Sequence, residues 1–355
     1  MKTIMKTVFK LLLILLFPLF SFGNNYEDYA YTKEKNVSKS FIVTSDAMLQ
    51  TSNSYGNINV YLWDENKIFI QVIIKVSGNN ENKVNEKLNS IDIAFDASDS
   101  KVSAATIFGN SNWKSGTNLN YEINYTIKIP RNGNISLANK YGNIGIEKLN
   151  GTSSITCQYG NISLGSFTNK SNNISLSYSG DSSITSIDKL NINSQYSQVE
   201  IQNINQLNID GNYNGFVLQN VGTLMMSSNY TKISSKSIQK FNCNGNYLTL
   251  KLGDIGQSLD INSNYSDISL NTTFKTKDIV INGNYSTTRI TCAPEVPFDF
   301  DINLKYGGFK DQIGLKYSEK SEKNNSKNYS GYNISTGKSS ISVTTNYGSV
   351  QLLNK

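Results

Sequence analysis

The side chains that could carry chemistry in this 355-residue sequence are acidic residues and three cysteines, because the sequence contains no histidine. Without histidine, the usual serine and cysteine triads and most zinc sites lack a member. Glycines stand in short turns, and no glycine-rich loop before a helix could cradle a phosphate. What remains is carboxylate chemistry, above all the paired acids with which glycosidases cleave polysaccharides.

The elements that would position such carboxylates are copies of one short repeat, each marked by a tyrosine and spaced 17 to 20 residues apart. Counted from the tyrosine as zero, apolar residues fall at offsets −6, −4, +3, +5 and +8, and a small residue stands at −2. One complete copy consists of Leu207, Ile209, Gly211, Tyr213, Phe216, Leu218 and Val221. The marking tyrosines are Tyr141, Tyr159, Tyr178, Tyr196, Tyr213, Tyr230, Tyr247, Tyr265 and Tyr285.

The acids of this array stand at unrelated offsets. Offsets of +3, −3, +7, −5 and +2 belong to Asp181, Asp210, Asp254, Asp260 and Asp267. Because no offset collects two acids in adjacent copies, the sequence predicts no catalytic residue. It predicts no cofactor and no metal-ligating set either, although a calcium site made of backbone carbonyls stays open.

The cysteines, Cys157, Cys243 and Cys292, are odd in number. In stacked copies Cys157 and Cys243 would lie five coils apart, roughly 24 Å at the strand spacing. That separation is far beyond the ~7 Å limit between the Cα atoms of a disulfide. The sequence therefore predicts buried thiols in small core positions.

The apolar offsets predict the fold class. Apolar residues two apart have the period of a strand with one buried face. No copy can bury that face alone, whereas stacked copies align their apolar positions inside. The sequence therefore predicts an all-β fold: a single-stranded parallel β-helix (β-solenoid) of about 18 residues per coil, with a small N-terminal α+β cap. A leucine-rich repeat is disfavoured, because the returns are polar and rich in Asn, Ser and Gly.

Two side-chain columns follow from stacking. Strand parity puts the tyrosines on the side of the apolar positions, which predicts a packed or corner-stacked structural ladder. The alternative is an exposed aromatic strip that stacks on sugar rings. Amides that directly precede a tyrosine are predicted to hydrogen-bond from coil to coil; they are Asn212, Asn229, Asn246, Asn264 and Asn284.

The first part of the chain predicts export. Residues 1–23 read as a secretory signal peptide, with Lys2, Lys6 and Lys10 before an apolar run that is too short to span a membrane. Later residues contain no run of the ~20 apolar residues that a span needs. The predicted location is therefore periplasmic, cell-surface or extracellular.

Two further domains are predicted. Residues 24–134 contain a polar, loosely ordered start to about Ser40, a first coil, and a strand-helix-strand cap whose helix begins near Asn80. Such a cap would cover the open sheet edge of the rod. Residues 135–355 form the solenoid, with an exposed polar loop at 317–332 and a last coil that ends the rod.

Net charge argues against nucleic-acid binding. The formal charge is +6 for the whole chain and +3 without the three signal-peptide lysines. No cluster of lysine and arginine with interleaved aromatics is present.

Two motifs carry a family resemblance. The opening copy Ser54–Trp63 (SYGNINVYLW) and the array start Asn139–Ile144 (NKYGNI) flank the strand-helix-strand excursion. With the signal peptide, this arrangement resembles the secreted putative-adhesin β-strand-repeat family of Gram-negative bacteria over nearly the whole mature chain. Later copies depart from Tyr-Gly-Asn and carry Ser, Asn, Thr or Leu after the tyrosine. The resemblance implies the solenoid fold and an adhesive role, and it supplies no binding residues.

The functional hypotheses are ordered. The first is a non-enzymatic secreted or cell-surface adhesin that binds glycans or surface proteins. The second is a polysaccharide-cleaving enzyme, and the third is a structural or envelope-sensing protein. For the fold itself, Ile209→Asp is predicted to unfold the rod, whereas Asn214→Asp, in a turn, is predicted to be nearly silent.

Overall fold

The computed structural model describes residues 29–109 and 118–355, so the predicted signal peptide at 1–23 lies outside the described residues. Within these ranges the chain forms 26 strands and one helix, and the strands join in one mostly parallel sheet wound into successive coils. Neighbouring coils pair in register, as Leu207 with Leu224 and Ile209 with Met226 illustrate. The predicted all-β, solenoid-like fold is confirmed.

The elements are named in chain order. The N-terminal elements are β1 (Tyr31–Ile42), β2 (Met48–Ser54), β3 (Ile58–Trp63), β4 (Lys67–Gly78), α1 (Glu81–Ser90), β5 (Ile91–Ala97), β6 (Lys101–Phe108) and β7 (Leu119–Pro130). The array contains β8 (Asn134–Lys140), β9 (Ile144–Leu149), β10 (Ser153–Gln158), β11 (Ile162–Phe167), β12 (Asn172–Ser177), β13 (Ser182–Gln195), β14 (Gln198–Asn212), β15 (Gly215–Asn229), β16 (Lys232–Asn246), β17 (Thr249–Asn264), β18 (Asp267–Thr272), β19 (Asp278–Asn284) and β20 (Thr287–Cys292). The C-terminal elements are β21 (Phe298–Lys305), β22 (Gly308–Asp311), β23 (Lys316–Lys323), β24 (Ser326–Asn333), β25 (Ser340–Asn346) and β26 (Ser349–Asn354).

The core forms as the repeat predicts. In the copy around Tyr213, the residues at −6, −4, +3, +5 and +8 are at most 3% exposed, and the small residue at −2 is buried as well. They continue inward columns that run through every coil of the array, so apolar burial accumulates along the rod and no single coil supplies it.

The N-terminal end is closed by the excursion after the first coil. Strands β2 and β3 pair in parallel with β8 and β9 on one side and with β6 and β7 on the other. Antiparallel strands then cover the edge, since β5 pairs with β6 while β4 pairs with both β7 and β1. The helix α1 begins where the Asn80 side chain accepts the Lys83 backbone N–H at 3.1 Å, which confirms the predicted start.

The polar N-terminal stretch is more ordered than its composition predicts. A loosely ordered start to Ser40 is wrong for residues 31–40, because β1 begins at Tyr31 and pairs with β4 from Gly78 to Lys67. An edge strand keeps one row of backbone groups and much of its side-chain surface in water. Hydrophilic residues can therefore occupy it, and they discourage pairing with another chain.

The C-terminal coil does not end the rod. Strand β25 pairs with β19 on one side and β21 on the other, and β26 lies between β20 and β22. The last coil in sequence is therefore inserted between two coils that precede it. The prediction that this coil closes the rod is wrong, because near-identical apolar registers let it pair equally well with either neighbour.

The polar stretch 317–332 is also corrected. It forms the hairpin of β23 and β24, whose second strand pairs antiparallel with β21. Strand β23 has the sequence KYSEKSEK and is largely exposed. The charged residues that suggest a loop are those expected on a solvated edge strand that protects the end of a sheet.

Candidate functional site

Twelve tyrosines stack in one column along a corner of the rod. Successive ring centroids lie 4.7–5.2 Å apart, and from Tyr159 onward the ring planes agree within 2–8°. In spatial order they are Tyr55, Tyr141, Tyr159, Tyr178, Tyr196, Tyr213, Tyr230, Tyr247, Tyr265, Tyr285, Tyr347 and Tyr306. The structure thus brings all nine predicted ladder tyrosines together and adds three.

Backbone geometry puts these rings outside the core. Each of the twelve tyrosines has φ between 50° and 64°, the left-handed region that side-chain-bearing residues rarely adopt. This turn reverses the inward direction that strand parity assigns to the tyrosines. The rings are 39–51% exposed instead of buried.

The stacked arrangement limits what the column can bind. Because each ring face within the column is covered by the next ring, the column offers ring edges and phenol hydroxyls to solvent. A sugar ring needs an open aromatic face, so the hypothesis of an aromatic strip for sugar stacking does not fit the interior of this column. Its geometry suits a stabilising corner, in which each stacked pair contributes about 0.5–1.5 kcal/mol.

The amides before the tyrosines form the predicted ladder. The Asn229 amide donates to the Asn212 side-chain oxygen at 3.1 Å, and the pattern repeats from Asn246 to Asn229 at 3.2 Å. It continues from Asn264 to Asn246 at 2.9 Å and from Asn284 to Asn264 at 2.8 Å. Backbone N–H groups share the same oxygens at several coils, which ties this strand end to its neighbours.

Where the residue after the tyrosine is polar, its side chain is buried and bonds to the turn of the preceding coil. Asn214 is 4% exposed; its Nδ2 donates to the Ser194 carbonyl at 2.8 Å, and its Oδ1 accepts the Ser197 backbone N–H at 3.2 Å. The prediction that Asn214→Asp is nearly silent is therefore wrong. A carboxylate cannot donate, and it would face the Ser194 carbonyl oxygen without water to screen the repulsion.

Asn214→Asp is expected to lower the free energy of unfolding by about 1–3 kcal/mol, the cost of a buried polar group left unpaired. Burial raises the pKa of a carboxyl group above its unfolded value, so this loss should be present at neutral pH and shrink as the pH falls through the raised pKa. Urea unfolding at several pH values, always relative to the unmodified protein, measures both effects. An unchanged unfolding midpoint at pH 7 would contradict the burial of Asn214.

The tyrosine corner allows a second prediction. Tyr213→Ala is expected to cost about 1–3 kcal/mol, because two stacked contacts are lost. Tyr213→Gly should cost less than Tyr213→Ala, since glycine adopts positive φ without strain. Within a strand the order of the two variants would be reversed. Thermal unfolding of both variants distinguishes the cases, and an alanine variant as stable as the glycine variant would argue against the left-handed turn.

A groove of about 590 Å³ runs along the outer face of the strands that precede the tyrosines. We call it the asparagine groove. The side chains at offset −5 in its six coils are Ser154, Asn173, Asn191, Asn208, Met225 and Asn242. The side chains at offset −3 are Thr156, Ser175, Asn193, Asp210, Ser227 and Asn244. Six coils at the strand spacing make the groove roughly 24 Å long.

The groove combines fixed and free polar groups. Asn191 donates to Asn173 at 3.0 Å, and Asn208 donates to Asn191 at 2.7 Å, so these amides are held in line. By contrast, the side chains of Asn193 and Asn244 have no hydrogen-bond partner in the described part of the chain. Each free amide offers two donors and an acceptor to a ligand.

The groove is poor in catalytic groups. Asp210 is its single carboxylate. Over the described ranges, no group of three or more Cys, Asp or Glu side chains could hold a metal ion. The three cysteines are buried and unbridged, as predicted. Burial raises the pKa of Cys157 to about 11 and those of Cys243 and Cys292 to about 12, which keeps these thiols protonated.

The repeat pattern by itself predicts no ligand-binding residues. The groove residues nevertheless follow a recognisable rule in the sequence. Once the apolar offsets −6 and −4 face inward, −5 and −3 must face outward. At offset −5 of the groove, asparagine recurs in three consecutive copies as Asn173, Asn191 and Asn208, and the groove residues at −3 are all polar. The concave shape of the face, however, depends on how the coils bend and is not encoded in any single copy.

The described residues contain no helix long and apolar enough to cross a bilayer.

Comparisons with known proteins give structural similarity only. No family model matches the sequence, and no curated protein sequence matches it. A solved structure described as a putative cell adhesion protein, from Clostridium sporogenes, is 12% identical, with 90% of this chain and 100% of that chain covered and a TM-score of 0.20. A putative adhesin from Bacteroides fragilis is 12% identical, with 90% and 97% covered and a TM-score of 0.24. A putative lipid binding protein from Parabacteroides distasonis is 8% identical, with 90% and 96% covered and a TM-score of 0.33. The fold assignment therefore rests on the strand register of this chain.

Proposed function

We propose that this protein is a non-enzymatic secreted or cell-surface adhesin whose asparagine groove binds an extended glycan. The observation that carries the proposal is the regular spacing of amide and hydroxyl side chains on an outer face made of paired strands. Coils repeat every ~4.8 Å along the rod, which is close to the length of one sugar unit in an extended β-linked chain. A linear glycan lying along the groove would meet at least one amide or hydroxyl side chain at each unit.

The composition of the groove supports a sugar ligand. Amides and hydroxyls match the hydroxyl groups of a polysaccharide, while Met225, which is 50% exposed, offers an apolar contact to the C–H face of a sugar ring. The groove side chains stand on paired strands, so little conformational freedom is lost when the ligand binds. Asp210 contributes one negative charge, which favours a neutral glycan in this groove over an acidic one.

The absence of a second groove carboxylate supports binding without cleavage. Glycoside hydrolysis needs two carboxyl groups about 5–9.5 Å apart across the scissile bond. The described residues that line the groove supply Asp210 alone. We therefore propose a binding protein and not an enzyme, exported by the predicted signal peptide to the periplasm, the cell surface or the medium.

A polysaccharide panel tests this function. The protein secreted on expression of the full sequence is run through affinity gels that contain neutral or acidic polysaccharides, and the same mixtures are assayed for new reducing ends. Retardation by a neutral linear glycan without new reducing ends is the expected result. New reducing ends would establish an enzyme, and migration unchanged across the whole panel would exclude a glycan as the ligand and point to a protein partner.

A further inference from the structure

A protruding aromatic side chain lies outside the asparagine groove and serves no packing role. Phe274, in the turn between β18 and β19, is 78% exposed, as much as any large hydrophobic side chain in the described residues. The equivalent turn one coil later carries Pro294 and Glu295, so the solenoid does not require an aromatic residue here. A single exposed apolar side chain is common on protein surfaces, so the significance of Phe274 depends on the groups that lie beside it.

The turn holds Phe274 in place. The Thr273 backbone N–H donates to Thr276 Oγ1 at 2.8 Å, and the Lys275 N–H donates to Thr273 Oγ1 at 3.2 Å. Thr276 is itself buried and donates to the Ile255 carbonyl of the preceding coil. Phe274 is therefore presented by a fixed turn and does not move with a loose loop.

Three lysines line the same depression as this ring. Lys275, Lys277 and Lys338 are exposed, and none has a carboxylate within ion-pair distance among the described residues. The Lys275 ammonium lies 5.5 Å from the centroid of the Phe274 ring. The adjacent Asp278 carboxylate accepts a hydrogen bond from the Ser340 hydroxyl at 3.0 Å.

Phe274, Thr276 and the three lysines line a cavity of about 610 Å³ together with Gln257 and Ser339. Its volume falls within the roughly 300–1,000 Å³ of small-molecule sites. The register places Gln257, Lys277 and Ser339 side by side in three adjacent coils, each directly before the residue at which the pairing of β17, β19 and β25 begins. The cavity therefore lies on the three coils that directly follow the asparagine groove toward the C-terminal end, where the strand segments equivalent to those of the groove begin.

We propose that this cavity binds a carboxylated sugar unit of an acidic glycan. The aromatic face of Phe274 would pack against the C–H face of the sugar ring, and the three lysines would surround its carboxylate. The Gln257 side-chain amide has no hydrogen-bond partner among the residues that the structure describes, and it can donate to a sugar hydroxyl. A concave site with one aromatic face and a free amide fits a sugar better than it fits a lipid surface. Membrane binding would use a broader apolar face and a wider basic patch.

The test uses calorimetric titration of the secreted protein with tri-galacturonate and with its carboxyl-reduced, neutral counterpart. The site variant is Lys275→Gln/Lys277→Gln/Lys338→Gln. The charge-matched control is Lys148→Gln/Lys232→Gln/Lys251→Gln, which changes three exposed lysines on other surfaces. Phe274→Ala tests the ring separately, and because the side chain is exposed this variant should keep the unfolding temperature of the unmodified protein.

The acidic sugar should bind and the neutral one should not. The site variant should lose about tenfold or more in affinity while the control loses less than about twofold, and binding should weaken with added salt. Equal losses of affinity in both triple variants would mean that binding depends only on the net charge of the protein, and this result would overturn the proposal. Binding to anionic lipid vesicles without binding to tri-galacturonate would also overturn it. Variants of the asparagine groove should leave this affinity unchanged, so the two sites can fail independently.

Discussion

Replacing Ile209 by aspartate is expected to unfold the rod in the region of its middle coils, with a loss of more than about 4 kcal/mol, the range reserved for severe core defects. Ile209 is 3% exposed and faces the interior between Ile192 and Met226 of the adjacent coils. A carboxylate at this point would be buried with no donor or cation in reach, and desolvation of an unpaired charge is among the largest penalties in folding.

The matched control for this substitution is Asn203→Asp in the same coil. Asn203 is exposed and accepts a hydrogen bond from Asn220 at 3.0 Å, a role that a carboxylate keeps. Urea unfolding followed by far-ultraviolet circular dichroism should place Asn203→Asp near the unmodified protein and show Ile209→Asp largely unfolded. Similar midpoints for the two variants would mean that the inward and outward positions are misassigned.

Removing the last coil, residues 340–355, is expected to unravel the C-terminal end although it deletes only a chain terminus. Ile341, Val343, Val350 and Leu352 are 0–3% exposed, and full burial of such side chains is worth about 1.5–3 kcal/mol each. Because β25 and β26 separate β19 and β20 from β21 and β22, their loss also removes the parallel pairing of β21 and β22 with the rod. The hairpin of β23 and β24 is paired to β21 and would be released with it. A coil at the outer end would cost only its own contacts.

Hydrogen exchange measures this insertion directly. In the unmodified protein, the backbone N–H groups of β25 should exchange as slowly as those of the middle coils, and the truncated chain should lose protection in β21 as well. The control removes Lys355 alone, whose contact is an exposed ion pair with Asp254 at 3.2 Å, and it should change nothing measurable. Fast exchange in β25 would contradict its place between two coils.

The inward columns of the fold could be predicted because they depend on strand alternation alone. Alternation failed at the tyrosines, where a single left-handed residue turns the chain and redirects the ring outward, and no apolar pattern reports φ. The prediction for Asn214 was wrong for another reason. Asparagine is a residue type that is typical of turns, but Asn214 is as buried as a core residue. Polarity alone does not reveal whether an amide bonds to water or to a neighbouring coil.

The order of the last coils could not be predicted, because coils of one repeat present the same apolar registers to each other. Nothing local distinguishes a coil that continues the rod from one that inserts into it. The candidate sites could not be predicted for a related reason, because the groove and the Phe274 cavity are each made by residues of several coils. Their residues recur at fixed offsets, yet concavity and the grouping of unpaired lysines arise only when the coils stack.

Two double variants, which remove the same kind of side chain from two different faces, test whether the asparagine groove binds a glycan. Asn191→Ala/Asn208→Ala removes a ladder pair inside the groove, and Asn203→Ala/Asn220→Ala removes an equivalent exposed pair on another face. Calorimetric titration with the neutral glycan that retards the unmodified protein should show a loss of about tenfold or more for the groove variant, equivalent to about 1.4 kcal/mol, and no loss for the other. Equal affinities in the two variants, or a loss confined to the second, would contradict the assignment of the groove as the binding site.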